Sequence, residues 1–203
     1  MRFVRPGRAN RREFGVTVVE GAIIAPVFFA LLFGIVEAGL TFSARSSVGD
    51  AVASAARSAS ISGNDADSDF QALQQVMSHM PSDGSGLRYV VVYKAADLLQ
   101  RRPTTDCVDD AESGGSGVLG KCNVYQRSTV LAPAPAMFGY DAVTAQTATA
   151  DMKWPARSRA VSYTGGRDIV GVYISSTYKG ISGVIKTHLW NVGSVLELEG
   201  KSV

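Results

Sequence analysis

Glu20 stands out among the residues that could do chemistry, because it places a carboxylate inside an apolar run, where insertion of an acid costs about 2.5 to 3.5 kcal/mol. A nearby cation would offset that cost. A chain cut after Gly15 would begin at Val16 and make Glu20 its fifth residue. The acid would then lie in the first turns of a helix, where the positive helix end and free ammonium groups, its own or a neighbour's, favour an anion. The other reactive side chains are few: Cys107 and Cys122 are the only cysteines, His79 and His188 the only histidines. The sequence holds no His-Glu-x-x-His, no Gly-x-Ser-x-Gly, no phosphate-binding loop and no dinucleotide fingerprint. Two histidines leave few candidate general bases, so the expectation is a protein that is not an enzyme and needs neither cofactor nor metal.

The element that must position Glu20 runs from Val16 to Phe42 with Glu20 and Glu37 as its only charges. As a helix it would reach roughly 40 Å, enough to cross a bilayer core of about 30 Å. Pro26 removes one hydrogen bond, to the Ala22 carbonyl, a defect that membrane helices tolerate. Before the run stand Arg2, Arg5, Arg8, Arg11 and Arg12 against Glu13 alone. This bias predicts a single pass with the first residues in the cytoplasm and everything after about residue 43 exported. Two other readings share these features. A cleavable secretory signal has an apolar core of roughly 7 to 15 residues and a small-residue cleavage site, both unlike this run. An uncleaved signal anchor would leave Glu20 without a purpose.

At fixed spacing through this stretch stand Arg11, Arg12, Gly15, Glu20, Pro26, Phe33, Gly34, Ile35, Glu37 and Gly39. A basic leader, a Gly before the scissile bond, Glu five positions later and an apolar helix resemble the type IV prepilin signal. The longer pattern resembles the TadE/TadG-like minor pseudopilins of the tight-adherence (Flp) pilus. The departure is Gly21, where that family usually has Phe or Tyr. The resemblance implies cleavage between Gly15 and Val16 by a prepilin peptidase, with Glu20 setting register during assembly. It further implies partners among pilin and pseudopilin subunits, an inner-membrane assembly platform and membrane lipid, and a role in pilus assembly linked to adhesion and secretion. The protein would reside in the bacterial cytoplasmic membrane and reach a surface pilus. The rival is an uncleaved single-pass signal-anchor protein with a structural or sensory exported domain.

The charge distribution supports a membrane reading over nucleic-acid binding. Residues 1–15 carry +4 and the remainder −2 of a net +2, so the arginines are explained by topology and the rest has no basic excess to neutralise phosphates. The 203 residues divide into an expected leader over 1–15, a transmembrane and stalk helix over 16–60, and an exported domain over 61–203. The stalk carries Val48, Val52, Ala55 or Ala56, and Ala59 on one narrow stripe, suited to docking on the protein's own sheet or on neighbouring helices. Gly63 ends it.

Beyond the stalk, a second helix is expected from about Ser68 to Met80, with Phe70, Leu73, Met77 and Met80 on its packing face. His79 near its end is read as a favourably placed cation or a solvated side chain. Leu87 to Lys94 reads as a central strand covered by helices on one side, and Asp97 to Asn123 as a long polar connection. In an exported segment Cys107 and Cys122 most simply form a disulfide; a zinc site with the two histidines lacks close ligand spacing. The stretch from 127 to 156 gives little pattern, and buried packing is the commoner use for its Tyr140 and Trp154. Asp168 to Tyr178 alternates as a half-buried strand, Ile181 to His188 has no clear type, and 193–199 reads as an edge strand. The expected fold is α+β: a pilin-like lollipop with a long N-terminal transmembrane and stalk helix and an antiparallel-sheet head.

Overall fold

The computed structural model describes residues 11–81, 84–141, 144, 149–180 and 187–200, with side chains from residue 18 onward. The arginines at positions 2, 5 and 8, most of the Ala/Thr-rich stretch after Asp141, and residues 181–186 lie outside the described residues. The chain forms two compact units, one ending at Leu40 and one running from Thr41 to Val203. Helix α1 spans Arg11–Ser62 with Pro26 inside it. It ends at Gly63, whose φ of 58° is the left-handed cap conformation that glycine adopts without a Cβ penalty. The Gly63 amide reaches back to the Ala59 carbonyl at 3.0 Å.

In the second unit, α2 (Ser68–His79) leads to β1 (Leu87–Ala95), α3 (Thr105–Glu112), β2 (Gly117–Val118) and β3 (Cys122–Gln126). Helix α4 (Arg127–Leu131) and a small hairpin of β4 (Val161–Ser162) and β5 (Gly166–Arg167) precede β6 (Ile169–Tyr178) and β7 (His188–Glu197). Five strands form an antiparallel sheet in the order β2-β3-β1-β6-β7. The architecture is the expected α+β arrangement of a long apolar N-terminal helix and an antiparallel sheet.

Period-two alternation sends β1 side chains to two separate cores. Val90 and Val92, with Val170, Val172 and Ile174 of β6, meet the last turns of α1 and the inner face of α2. On α1 that contact is made by Val48, Ala51, Val52, Ala55, Ala56 and Ala59, and small side chains let a helix backbone approach a sheet closely. The stripe therefore docks on its own sheet. The packing face of α2 is centred on Asp69, Ala72, Leu73 and Val76, whereas the expected Phe70 and Met77 sit at its partly buried flank.

The other face of the sheet corrects the expectation of a one-sided cover. Tyr89, Val91, Tyr93, Val124 and Tyr173 pack against Cys107 and Ala111 of α3, so the stretch after Asp97 is in part a helix that roofs the sheet. For the same reason β6 is buried on both faces through most of its length. Cys107 and Cys122 are joined, S–S 2.01 Å, pinning α3 to the first residue of β3. Replacing both cysteines by serine is expected to lower the unfolding free energy by about 3 kcal/mol, read as an earlier denaturation midpoint under non-reducing conditions.

An ion pair reinforces the same joint: Lys121 Nζ lies 2.5 Å from Asp106 Oδ2. The Lys121 contact first, and then a hydrogen bond from Thr104, lower the Asp106 carboxyl from 3.8 to about 2. Because the folded value is depressed, the stabilisation from this pair is present above the ordinary carboxylate range and is lost as pH falls toward about 2. Lys121→Ala is therefore expected to lower the urea midpoint at pH 5 and to leave a much smaller difference near pH 2. An unchanged difference across that interval would show that Asp106 does not titrate in this way.

Candidate membrane and assembly helix

From Val18 the helical stretch of α1 is long and apolar enough to cross a membrane, and none of its most apolar window is buried. Val18, Ile23 and Ile35 are 70 %, 67 % and 70 % exposed. A soluble surface rarely leaves so continuous an apolar face uncovered, so this one requires lipid or other helices around it. Within this unit Phe29 contacts Phe28 at 5.9 Å and Phe33 at 6.4 Å between ring centroids, making an aromatic ridge on the turns after Pro26. Around Gly21, Gly34 and Gly39 a Cβ would meet nothing within 4 Å. These positions are open notches in the apolar surface, the shape that permits close helix approach in lipid.

Gly15 and Val16 lie on α1 near its start. Glu20 is exposed on the same helix, and among the described residues no cation lies within ion-pairing distance of it. Glu37 is 4 % exposed. A chemical site of another kind is not apparent: no cluster of three or more His, Cys, Asp or Glu able to hold a metal occurs among the described residues. With both cysteines in the disulfide, a zinc site built on them is excluded. His79 sits on the last turn of α2, its Nδ1 3.0 Å from the Gln75 carbonyl.

The sequence reading missed a buried polar cluster that ties α2, β3 and the segment 154–159 together. Asp69 and Arg159 pair at 2.6 Å with both side chains fully buried. The second Asp69 oxygen accepts from Asn123 Nδ2 at 2.9 Å and from the Tyr125 hydroxyl at 2.5 Å. Asn123 also exchanges two hydrogen bonds with the Trp154 backbone, at 2.9 and 2.7 Å, and the Arg159 guanidinium lies 4.3 Å over the Trp154 ring. Burial, and then the Asp69 charge, push the Tyr125 hydroxyl well above its usual range, so it stays a donor. Asp69, Asn123 and Tyr125 each meet partners of opposite polarity, while among the described residues Arg159 Nε has no hydrogen-bond partner; the arrangement suits a structural lock. Trp154 is accordingly buried, while Tyr140 is half-buried.

Together these features define an α+β domain continuous with a helix able to anchor in a membrane once. The family model described as TadE-like protein matches residues 15–57, so the N-terminal helix is similar to that of TadE-like proteins. The match opens on Gly15 and ends within α1, leaving the sheet outside it. No curated protein and no solved structure matches the chain.

Proposed function

We propose that this protein is a minor pseudopilin of a tight-adherence pilus, with a structural rather than catalytic role. A prepilin peptidase cuts between Gly15 and Val16; the mature chain is held in the cytoplasmic membrane by α1 with its sheet domain exported, and it then joins other pilin and pseudopilin subunits at the assembly platform. The observation that carries this reading is the TadE-like match beginning at Gly15 together with an exposed carboxylate at the fifth position after it, on a face otherwise apolar. In an assembly of such helices a neighbour's terminal ammonium neutralises Glu20 in one axial register, and any other register leaves the acid unpaired in an apolar bundle.

The test is the N-terminal sequence and intact mass of the membrane-bound protein from cells with and without their prepilin peptidase. A start at Val16 that depends on the peptidase is expected. Retention of the leader in both strains would instead indicate an uncleaved anchor, and soluble material starting near residue 45 would indicate a secretory signal.

A further inference from the structure

We propose that Arg45 and Arg102 hold the phosphate of an anionic phospholipid where α1 leaves the membrane, an inference that rests on α1 being a membrane span. Arg45 and Arg102 line one groove of about 380 Å³ with Leu189, Trp190, Asn191 and Val192 of β7. Both arginines are exposed, and among the described residues neither has a carboxylate within ion-pairing distance. β7 is the outermost strand of its sheet, so its outward backbone N–H groups have no ladder partner there.

The loop that presents Arg102 is built, not slack. Asp97 Oδ1 accepts from the amides of Leu99 and Gln100 at 2.7 and 2.9 Å, and Tyr93 donates to the Gln100 carbonyl at 2.7 Å. The Arg101 carbonyl lies so close to Gly193 that a Cβ there would stand 1.9 Å from it. Arg102 is thereby held against one face of β7, while Arg45 comes from α1 on the other.

Position along the helix selects the ligand. The apolar run ends at Phe42, and Arg45 follows it by less than one turn, a rise of roughly 4.5 Å at about 1.5 Å per residue. The polar layer of a bilayer extends roughly 5 to 8 Å beyond the hydrocarbon on each side, so a span tilted enough to set Phe42 at the hydrocarbon edge brings Arg45 to phosphate depth. Exposed Leu189 and half-exposed Trp190 give the groove the mixed apolar and aromatic character of a membrane-water boundary.

The full chain is incorporated into vesicles of phosphatidylcholine with phosphatidylglycerol, floated to establish membrane association, and purified in mild detergent; retained lipid is then counted. Wild type is expected to retain phosphatidylglycerol preferentially. Arg45→Gln and Arg102→Gln should each lower that retention about fivefold, while Arg57→Gln, an exposed arginine further along the same helix, leaves it unchanged. Excess inorganic phosphate should not displace the lipid, whose chains add to its hold. Equal retention in wild type and the Arg45→Gln/Arg102→Gln variant would overturn the proposal and assign the arginines to a carboxylate-bearing partner. An equal effect of Arg57→Gln would reduce it to non-specific charge, and displacement by inorganic phosphate would assign the groove to a free anion; either overturns it. Failure of the wild-type chain to float would overturn the membrane reading and this inference together, whereas flotation without selective retention overturns this inference alone.

Discussion

Asp69→Ala is expected to destabilise the sheet domain by about 3 to 5 kcal/mol, because removing one partner of a buried ion pair leaves the other charge uncompensated. For a unit of this size that is a drop of roughly 6 to 20 °C in melting temperature. The loss would have three parts. Arg159, fully buried beside Asp69, keeps its charge without a counterion. Asn123 Nδ2 and the Tyr125 hydroxyl, which donate to the same carboxylate, lose an acceptor in a place water does not reach. Thermal melting of Asp69→Ala, Arg159→Met and the double variant measures the pair directly. The double variant should be less destabilised than the sum of the single ones, since it removes both charges. Strict additivity would mean that the pair is not coupled and that its burial is incidental.

Glu20→Gln is expected to abolish recovery of the protein in assembled pili, by about a hundredfold, while leaving the sheet domain folded. The magnitude follows from the cost of about 2.5 to 3.5 kcal/mol for an acid in an apolar helix, which in the proposed assembly an ammonium partner would offset in one register alone. The sign of a second readout separates this from simple misfolding. The substitution also removes the insertion cost of a carboxylate, so the variant should enter the membrane at least as well as wild type. Immunoblots of sheared pili and of membrane fractions, taken together, check both statements. Normal incorporation would rule out the register role.

These two residues also mark how far the sequence can be read. Glu20 is visible because its context is wrong for a carboxylate, and a one-dimensional pattern records that kind of conflict well. Asp69 is invisible for the opposite reason. An acid in the first turn of a helix is ordinary, and nothing local says that its partner lies some ninety positions later, where Arg159 looks like any surface arginine. β1 and β6 are legible from their β-branched runs, yet their second buried faces are not, because α3 is an acidic segment whose contribution to the core is Cys107 and Ala111 alone, one turn apart. The disulfide follows from compartment and count. The face of α2 is misjudged toward its bulkiest residues, since close packing against α1 favours Ala72 and Val76 over Phe70.

The alanine stripe of α1 also decides where a folded fragment can begin. Residues 48–59 form one wall of the main core, and Ser60 extends that wall with a hydrogen bond to the Glu197 carbonyl at 2.5 Å while its own carbonyl accepts from Glu199 at 3.0 Å. A recombinant product starting at Thr41 keeps this wall and should melt in one cooperative step. One starting at Gly63 exposes Val90, Val92, Val172 and Ile174 on an uncovered sheet and should aggregate. Release of a folded sheet domain by proteolysis must therefore cut before Val48, so the long apolar helix ends in a segment that the domain cannot shed.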